Sequence, residues 1–267
     1  MNTQPVLLDT SGPIAHVRLN RPGKLNSLTL ETLEQLVATA HRIRADKSIR
    51  AVIISGTDHN FTAGLDFATA LKDPARVAKT FLPRPWRGTN TFQEAVWAFR
   101  RLPVPVIAAV EGYCFGGGVQ IALGADYRFT TADAKWSVLE AKWGLIPDMS
   151  GIYAIKQLLP IDTAKRLAMT GEVFSGERAA ALGLASEIHE DPETAARELA
   201  EQIATRSPDS VAQAKRIFDS TWTAGERRTF LAERLRQMRL LGLKNTAIAR
   251  TSALKKQVPS FRPRSGR

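Results

Sequence analysis

Short runs of apolar, mostly β-branched residues alternate with helix-like segments through the first half of this chain. The strand-like runs are Val6–Asp9, Ile14–Leu19, Ala51–Ser55, Val106–Val110 and Tyr127–Thr130. Apolar residues recur at helical spacing in Leu28–Arg44, Phe92–Leu102 and Gly117–Ala125. Strands that are separated by helices favour parallel pairing in one sheet. The alternation therefore predicts an α/β fold.

The second half of the chain is dominated by helical patterns. The predicted helices are Gly151–Leu159, Thr163–Met169, Gly176–Leu182, Glu193–Thr205, Pro208–Phe218 and Glu226–Leu241, with one strand at Ala185–His189. We expect a core with the active site over residues 1–200 and a helical region over 201–267. Asp73–Asn90 carries four prolines or glycines among basic residues, which predicts a mobile loop.

Charge and composition limit the partners, the compartment and the metal sites that we expect for this chain. The chain has a formal net charge of +11, which suits an anionic partner such as a phosphorylated ligand or nucleic acid. Its N-terminus lacks a signal-peptide pattern and no apolar run is long enough to span a bilayer, so we expect a cytoplasmic protein without membrane contact. The single cysteine, Cys114, is interpreted as a packing residue, and the four histidines show no metal-ligand spacing.

Two glycine-containing loops follow two of the predicted strands. The first is Ala63-Gly64-Leu65-Asp66 and the second contains Gly116-Gly117-Gly118, directly before a predicted helix. Glycines that open a helix bring bare backbone N–H groups close to a ligand, where the helix terminus adds partial positive charge. Two such loops at neighbouring strand ends would aim two donors at one oxygen, as in an oxyanion hole. The alternative is that these glycines serve only tight turns and close packing.

The ordered set of motifs resembles the crotonase superfamily, the enoyl-CoA hydratase/isomerase family, over nearly the whole chain. Besides the two loops, the matching segments are Leu19–Leu28, Ala125-Asp126, Trp143–Asp148, Gly171–Ala179 and Pro259–Arg262. The resemblance implies a crotonase-like (ClpP/crotonase) spiral of ββα units with a C-terminal helical trimerisation region. It also implies an acyl-CoA substrate, no separate cofactor, and assembly as a homotrimer or homohexamer.

The resemblance further implies roles for individual residues. The backbone N–H groups of Leu65 and Gly117 would hold the thioester oxygen. The CoA moiety and the acyl group would lie along Lys24, Leu25, Ala63, Gly64, Asp66, Gly116 and Gln120. Lys255 or Lys256 would reach the CoA phosphates, in the same or a neighbouring subunit.

The acid–base residues depart from the hydratase pattern. Family hydratases usually carry two glutamates, and the positions that match them here hold Gln120 and Glu140. Glutamine cannot exchange a proton at neutral pH. Asp148 occupies a position where typical hydratases have glycine and some isomerases of the family have aspartate. Its alternative role is to cap a helix that begins after Pro147.

This inventory favours an isomerase. A double-bond shift needs a base that removes a proton and returns it elsewhere, together with stabilisation of the enolate, and Glu140 with Asp148 suits that task. Hydration of a 2-enoyl thioester by Glu140 is the first alternative. A non-catalytic protein that binds acyl-CoA or RNA is the second, although nucleic acid is the less expected partner. Trp136 and Trp143 bracket Glu140 and are expected to shape the acyl pocket.

Overall fold

The computed structural model describes residues 4–70 and 72–266 and has two sheets. The larger sheet has six strands in the order β1-β2-β3-β4-β6-β9, namely Val6–Asp9, Ile14–Leu19, Ala51–Gly56, Val106–Val110, Tyr127–Thr130 and Glu187–Ile188. The smaller has β5, β7 and β8 at Tyr113–Phe115, Lys135–Ser137 and Phe174–Ser175. In the larger sheet only β1 and β2 pair antiparallel, which confirms the predicted parallel α/β core.

Twelve α-helices complete the part of the chain that the structure describes. They are α1 Leu30–Ala45, α2 Phe67–Ala70, α3 Pro74–Phe81, α4 Thr91–Arg100, α5 Gly117–Gly124, α6 Gly151–Ile155, α7 Ile161–Thr170, α8 Gly176–Leu182, α9 Pro192–Ala204, α10 Pro208–Thr221, α11 Glu226–Leu241 and α12 Lys244–Leu254. Short 3-10 helices lie at Pro22–Lys24 and Leu139–Trp143. None of the helices in the described ranges has the length and apolarity to cross a bilayer.

The central strands are buried on both faces. On one face Ile53 and Ile107 pack against Ala196 and Ala200, which are one turn apart on α9. The opposite face belongs to the main core, which the buried faces of α1 and α4 complete. Burial on both sides explains why these strands read as continuous apolar runs and are readily predicted from sequence.

The structure corrects two local expectations, the loop at Asp73–Asn90 and the cap at Asp148, and adds one helix cap. The segment predicted as a mobile loop contains α3, which begins after Asp73, whose carboxylate accepts a hydrogen bond from the backbone N–H of Arg76 at 2.9 Å. Thr29 does form a capping box, because Thr32 supplies the reciprocal side chain in place of the usual glutamate. The N-cap position of helix α6 is held by Ser150, whose side chain makes no capping hydrogen bond, so Asp148 is not the N-cap.

Candidate active site

The two glycine loops follow adjacent parallel strands and lie side by side. The Thr62 N–H donates to the Tyr113 carbonyl at 2.7 Å, and the Phe115 N–H donates to the Thr62 carbonyl at 3.1 Å. Gly64 has φ +89° and lies so close to the second loop that a Cβ there would stand 2.8 Å from the Phe115 oxygen. Only glycine fits both conditions without strain. The glycines therefore permit the close approach of the two loops.

Two backbone N–H groups of these loops remain available. The Leu28 N–H donates to the Gly64 carbonyl, and the Leu28 carbonyl accepts a hydrogen bond from the Asp66 N–H, both at 2.8 Å. Because of this parallel pairing, the N–H of Leu65 points away from Leu28. Gly117 is the first residue of α5, where the helix provides no acceptor for its N–H. Neither N–H donates a hydrogen bond within the described residues. Both residues line one cavity of about 550 Å³.

That cavity brings together eight of the eleven residues predicted from sequence. They are Ala63, Gly64, Leu65, Gly116, Gly117, Gln120, Glu140 and Asp148. The other three are Lys24, Leu25 and Asp66, which do not line it. The Leu25 carbonyl accepts a hydrogen bond from the Ala63 N–H at 2.9 Å, so Leu25 lies next to the first glycine loop. Asp66 is bound by Arg21 at 3.1 Å.

Glu140 is the most deeply buried carboxylate at the cavity. It lies on the 3-10 helix Leu139–Trp143, is 8% exposed, and sits beside the second loop, 3.4 Å from where a Gly116 Cβ would be. Its Oε1 accepts a hydrogen bond from the Gln120 Nε2 at 2.6 Å, while its buried Oε2 has no partner among the described residues. Burial raises the pKa of Glu140, and the nearby charge of Asp148 raises it further.

Gln120 links Glu140 to the start of α6. Its Oε1 accepts the backbone N–H groups of Met149 and Gly151 at 2.7 and 2.9 Å. The glutamine side chain therefore supplies the acceptor at the start of this helix, which was the alternative role that the sequence left open for Asp148. With both lone pairs of its oxygen occupied, the amide can offer only N–H groups to other partners.

Asp148 is half-buried at the same cavity. Burial raises the pKa of its carboxyl group above the usual value. A carboxyl with a raised pKa takes up a proton at a higher pH than an ordinary carboxyl does, which suits a group that both gives and accepts a proton. Glu140 and Asp148 are thus two groups of this kind that face one cavity.

Several lining residues were not predicted from sequence. Apolar side chains cover most of the wall, among them Phe67, Phe81, Phe92, Leu145, Ile146 and Met149. Trp143 also lines the cavity, as expected, whereas Trp136 is fully buried in the core and donates its indole N–H to Thr130. The aromatic residues between the first glycine loop and α4 could have indicated this apolar wall, but Asp73–Asn90, which contains Phe81, was predicted to be a mobile loop.

The remaining sequence interpretations fall outside the cavity. Cys114 is fully buried in the main core, which confirms its packing role, and burial raises the pKa of its thiol well above the usual value. Lys255 and Lys256 are exposed just after α12. Within the described ranges no cluster of three or more histidine, cysteine or acidic side chains could hold a metal ion.

Comparison with known proteins agrees with this geometry. The enoyl-CoA hydratase/isomerase family model matches residues 9–248. The chain is 33% identical over 214 residues to the (E)-benzylidenesuccinyl-CoA hydratase of Thauera aromatica, covering 79% of this chain and 80% of the relative. It is 33% identical over 222 residues to the carnitinyl-CoA dehydratase of Proteus mirabilis, covering 82% of each chain.

Solved structures show the same fold. The enoyl-CoA hydratase from Bacillus anthracis superimposes with a TM-score of 0.87 at 25% identity, covering 97% of this chain and 99% of the other. The enoyl-CoA hydratase from Mycobacterium tuberculosis H37Rv gives 0.85 at 27% identity, covering 98% and 100%. These similarities confirm the predicted fold, a spiral core followed by a helical C-terminal region. The chain is an enzyme, not a non-catalytic binding module, and belongs to the enoyl-CoA hydratase/isomerase family of acyl-CoA enzymes.

Proposed function

We propose that this enzyme shifts a carbon–carbon double bond in an enoyl-CoA thioester, with Glu140 and Asp148 as the acid–base groups. One carboxylate removes a proton from C2 of a 3-enoyl thioester, and the C–H electron pair moves onto the thioester oxygen. The resulting dienolate takes a proton back at C4 as its electrons form the C2–C3 double bond. No atom is gained or lost.

The backbone N–H groups of Leu65 and Gly117 would hold the thioester oxygen while it carries negative charge. Donors fixed by the fold need not reorganise during the reaction, and each is worth about 10²–10³-fold in rate. The N-terminal position of Gly117 on α5 adds the partial positive charge of the helix. In this proposal the substrate's acyl group extends from the two N–H groups toward Glu140 and Asp148.

The bonding of Gln120 is the observation that carries this proposal. Its oxygen is fully engaged by Met149 and Gly151, so it cannot accept a hydrogen bond from a water molecule. It holds Glu140 through its N–H and leaves Oε2 of that carboxyl group free. The site therefore has no acceptor at position 120 to activate water, but retains two carboxyl groups suited to moving a proton.

Hydration of a 2-enoyl thioester is the second candidate. Its support is the similarity to relatives named as a hydratase and a dehydratase of CoA thioesters. In this reading Glu140 and Asp148 together orient and deprotonate the water. The two candidates share the oxyanion site and differ in the product.

The deciding experiment supplies 3-enoyl, 3,5-dienoyl and 2-enoyl thioesters to the wild-type enzyme and identifies the products by mass and NMR. Isomerisation leaves the mass unchanged and, in D₂O, can introduce deuterium at C2 or C4. Hydration adds the mass of one water. We expect a moved double bond from the 3-enoyl or dienoyl substrates and its loss in Glu140→Gln or Asp148→Asn.

The matched control is Glu201→Gln, which removes an exposed carboxylate on α9 that does not line the cavity. It should retain wild-type activity. Water addition to 2-enoyl thioesters without any double-bond shift would refute the isomerase assignment in favour of hydration. Wild-type rates in both Glu140→Gln and Asp148→Asn would refute their acid–base roles.

We further propose that copies of the chain associate through the C-terminal helices, as a trimer or a pair of trimers. Large apolar side chains are exposed there, including Phe218, Trp222, Phe230, Leu235 and Met238. Exposed apolar surface of this extent is typical of protein interfaces. Analytical ultracentrifugation tests this assignment, and a monomer at micromolar concentration would contradict it.

A further inference from the structure

One part of the cavity wall is formed by four aromatic side chains. Phe67 and Trp143 pack with their ring centroids 4.8 Å apart, and Phe81 and Phe92 pack at 4.9 Å. All four rings line the cavity, and they come from separate parts of the chain between residues 67 and 143. Paired rings of this kind form flat apolar surfaces on which a further ring can pack offset or edge-on.

Part of this wall is open to solvent. Trp143 is 56% exposed, Phe81 49% and Ile146 70%. Clustered exposure of large apolar side chains at a cavity indicates a surface that an apolar ligand covers. A volume of about 550 Å³ is also within the range of pockets that enclose ligands of drug size, well beyond a four-carbon acyl group.

The charges at the cavity restrict the ligand further. Among the described residues that line it there is no lysine, arginine or histidine, whereas Glu140 and Asp148 are both acidic. An acyl group with its own carboxylate would meet two acids and no cation. In both ring pairs the planes are inclined by less than 40°, 32° and 38°, so the rings lie partly face to face instead of surrounding a cation.

We propose that the acyl group taken by this enzyme is bulky, uncharged and carries an aryl ring, held against the Phe67–Trp143 and Phe81–Phe92 pairs. This inference rests on the proposed function for the position of the thioester. It adds a substrate class to that function: enoyl-CoA esters with a neutral aromatic group beyond the reacting carbons.

Binding of saturated thioesters tests the substrate class independently of the reaction. Pentanoyl-CoA, 5-phenylpentanoyl-CoA and 5-cyclohexylpentanoyl-CoA share the CoA moiety and contain no double bond to move. Calorimetry on the full chain should show that the phenyl ring tightens binding by about tenfold or more over pentanoyl-CoA, because it buries apolar area. The cyclohexyl analogue, which has no ring face, should bind more weakly than the phenyl analogue.

Two variants locate the ring. Trp143→Leu should reduce the preference for phenylpentanoyl-CoA over pentanoyl-CoA by about two- to tenfold, the value of one aromatic pair. Phe81→Leu provides a second test in the other ring pair, at a similarly open position. Trp86→Leu is the control, because Trp86 is fully exposed and does not line the cavity.

The proposal is overturned if pentanoyl and phenylpentanoyl thioesters bind equally, or if the cyclohexyl analogue binds more tightly than the phenyl one. It is also overturned if a para-carboxylate or a para-trimethylammonium group on the ring improves binding. A phenyl preference that persists unchanged in both Trp143→Leu and Phe81→Leu would place the ring elsewhere and contradict the assignment. Turnover of 5-phenylpent-3-enoyl-CoA separates the two claims: a clear phenyl preference without a double-bond shift would refute the reaction and retain the substrate class.

Discussion

Glu94 and Glu140 are two buried glutamates in very different surroundings. The Glu94 side chain on α4 is completely buried. Its carboxylate pairs with Arg87 and accepts hydrogen bonds from Arg101 at 2.8 Å and from Thr89 at 2.6 Å. Burial alone would raise its pKa, but the hydrogen bonds from Thr89 and Arg87 and the charge of Arg101 hold it below the usual value. Glu140 has one neutral hydrogen-bond partner, Gln120, and its pKa is raised.

The difference shows how the same side chain serves structure in one place and chemistry in another. At Glu94 both carboxylate oxygens are occupied, so the group stays ionised and ties the loop before α4 to that helix. At Glu140 one oxygen is free and burial disfavours the charged form, so this carboxyl group takes up a proton more readily than an ordinary glutamate does. An exchangeable proton beside a ligand cavity is what an acid–base residue requires.

The largest expected effect comes from Glu140→Gln. Removing an acid–base group typically lowers kcat by about 10²–10⁴-fold, and the new amide oxygen can still accept the Gln120 N–H, so the fold should persist. Steady-state turnover together with circular dichroism checks both statements. A variant that loses its circular dichroism signal along with its activity would show Glu140 to be a structural residue like Glu94.

Glu94→Gln should produce the reverse result. Breaking the contacts to Arg87 and Arg101 removes the partner of two arginines and should lower the free energy of unfolding by about 3 kcal/mol, the low end for a buried ion pair because both arginines are partly exposed. Urea denaturation measures this loss. Activity per folded molecule should change far less than in Glu140→Gln, and an equal loss of turnover would break the contrast between the two sites.

Sequence reasoning predicted the backbone half of the active site better than the side-chain half. Glycine loops after apolar strands have a local signal, and the structure places Leu65 and Gly117 at one cavity, as expected. The environment of Glu140 has no such local signal, because Gln120 lies twenty positions away on α5 and its hydrogen bond to Glu140 forms only in the folded chain. A helix cap at Asp148 stayed open as an alternative for the same reason: the Gln120 amide that fills this role is remote in sequence.

The secondary structure was also predicted better in some parts of the chain than in others. Strands of four to six residues were predicted at or within one residue of their observed bounds, and burial on both faces marks the central strands β3 and β4 most strongly. The strands β5, β7 and β8 were missed because two or three residues establish no period, whereas the two-residue strand β9 lies within the predicted Ala185–His189. Helix α3 was missed because Pro74 suggested a loop, whereas proline at the first position of a helix is well tolerated.

Gln120→Glu tests the electrostatic side of the comparison with a smaller effect. A carboxylate in place of the amide would lie within hydrogen-bonding distance of Glu140 and disfavour its ionisation. The pKa of Glu140 should rise further, and the acidic limb of kcat/KM should move to higher pH by about one unit, since the active base is the ionised form. Gln202→Glu, at an exposed position on α9, makes the same chemical change away from the cavity and should leave the profile in place. An unshifted limb in Gln120→Glu would mean that Glu140 is not the titrating base.

The smallest expected effect is on the pH dependence of stability, and its sign differs between the two glutamates. Folded Glu140 holds its proton more tightly than the unfolded chain does, so its contribution to stability is present at low pH and is lost as the pH rises above the ordinary glutamate pKa of 4.5 through the raised folded value. Folded Glu94 holds its proton less tightly, so its contribution is present above the ordinary value and is lost as the pH falls through its lowered pKa. Urea unfolding between about pH 3 and pH 8 should therefore show Glu140→Gln gaining on the wild type as the pH rises, while Glu94→Gln falls further behind it. Parallel curves for the two variants would mean that both carboxyl groups have the same relation to the fold, and the assignment of only one of them to chemistry would then lose its physical basis.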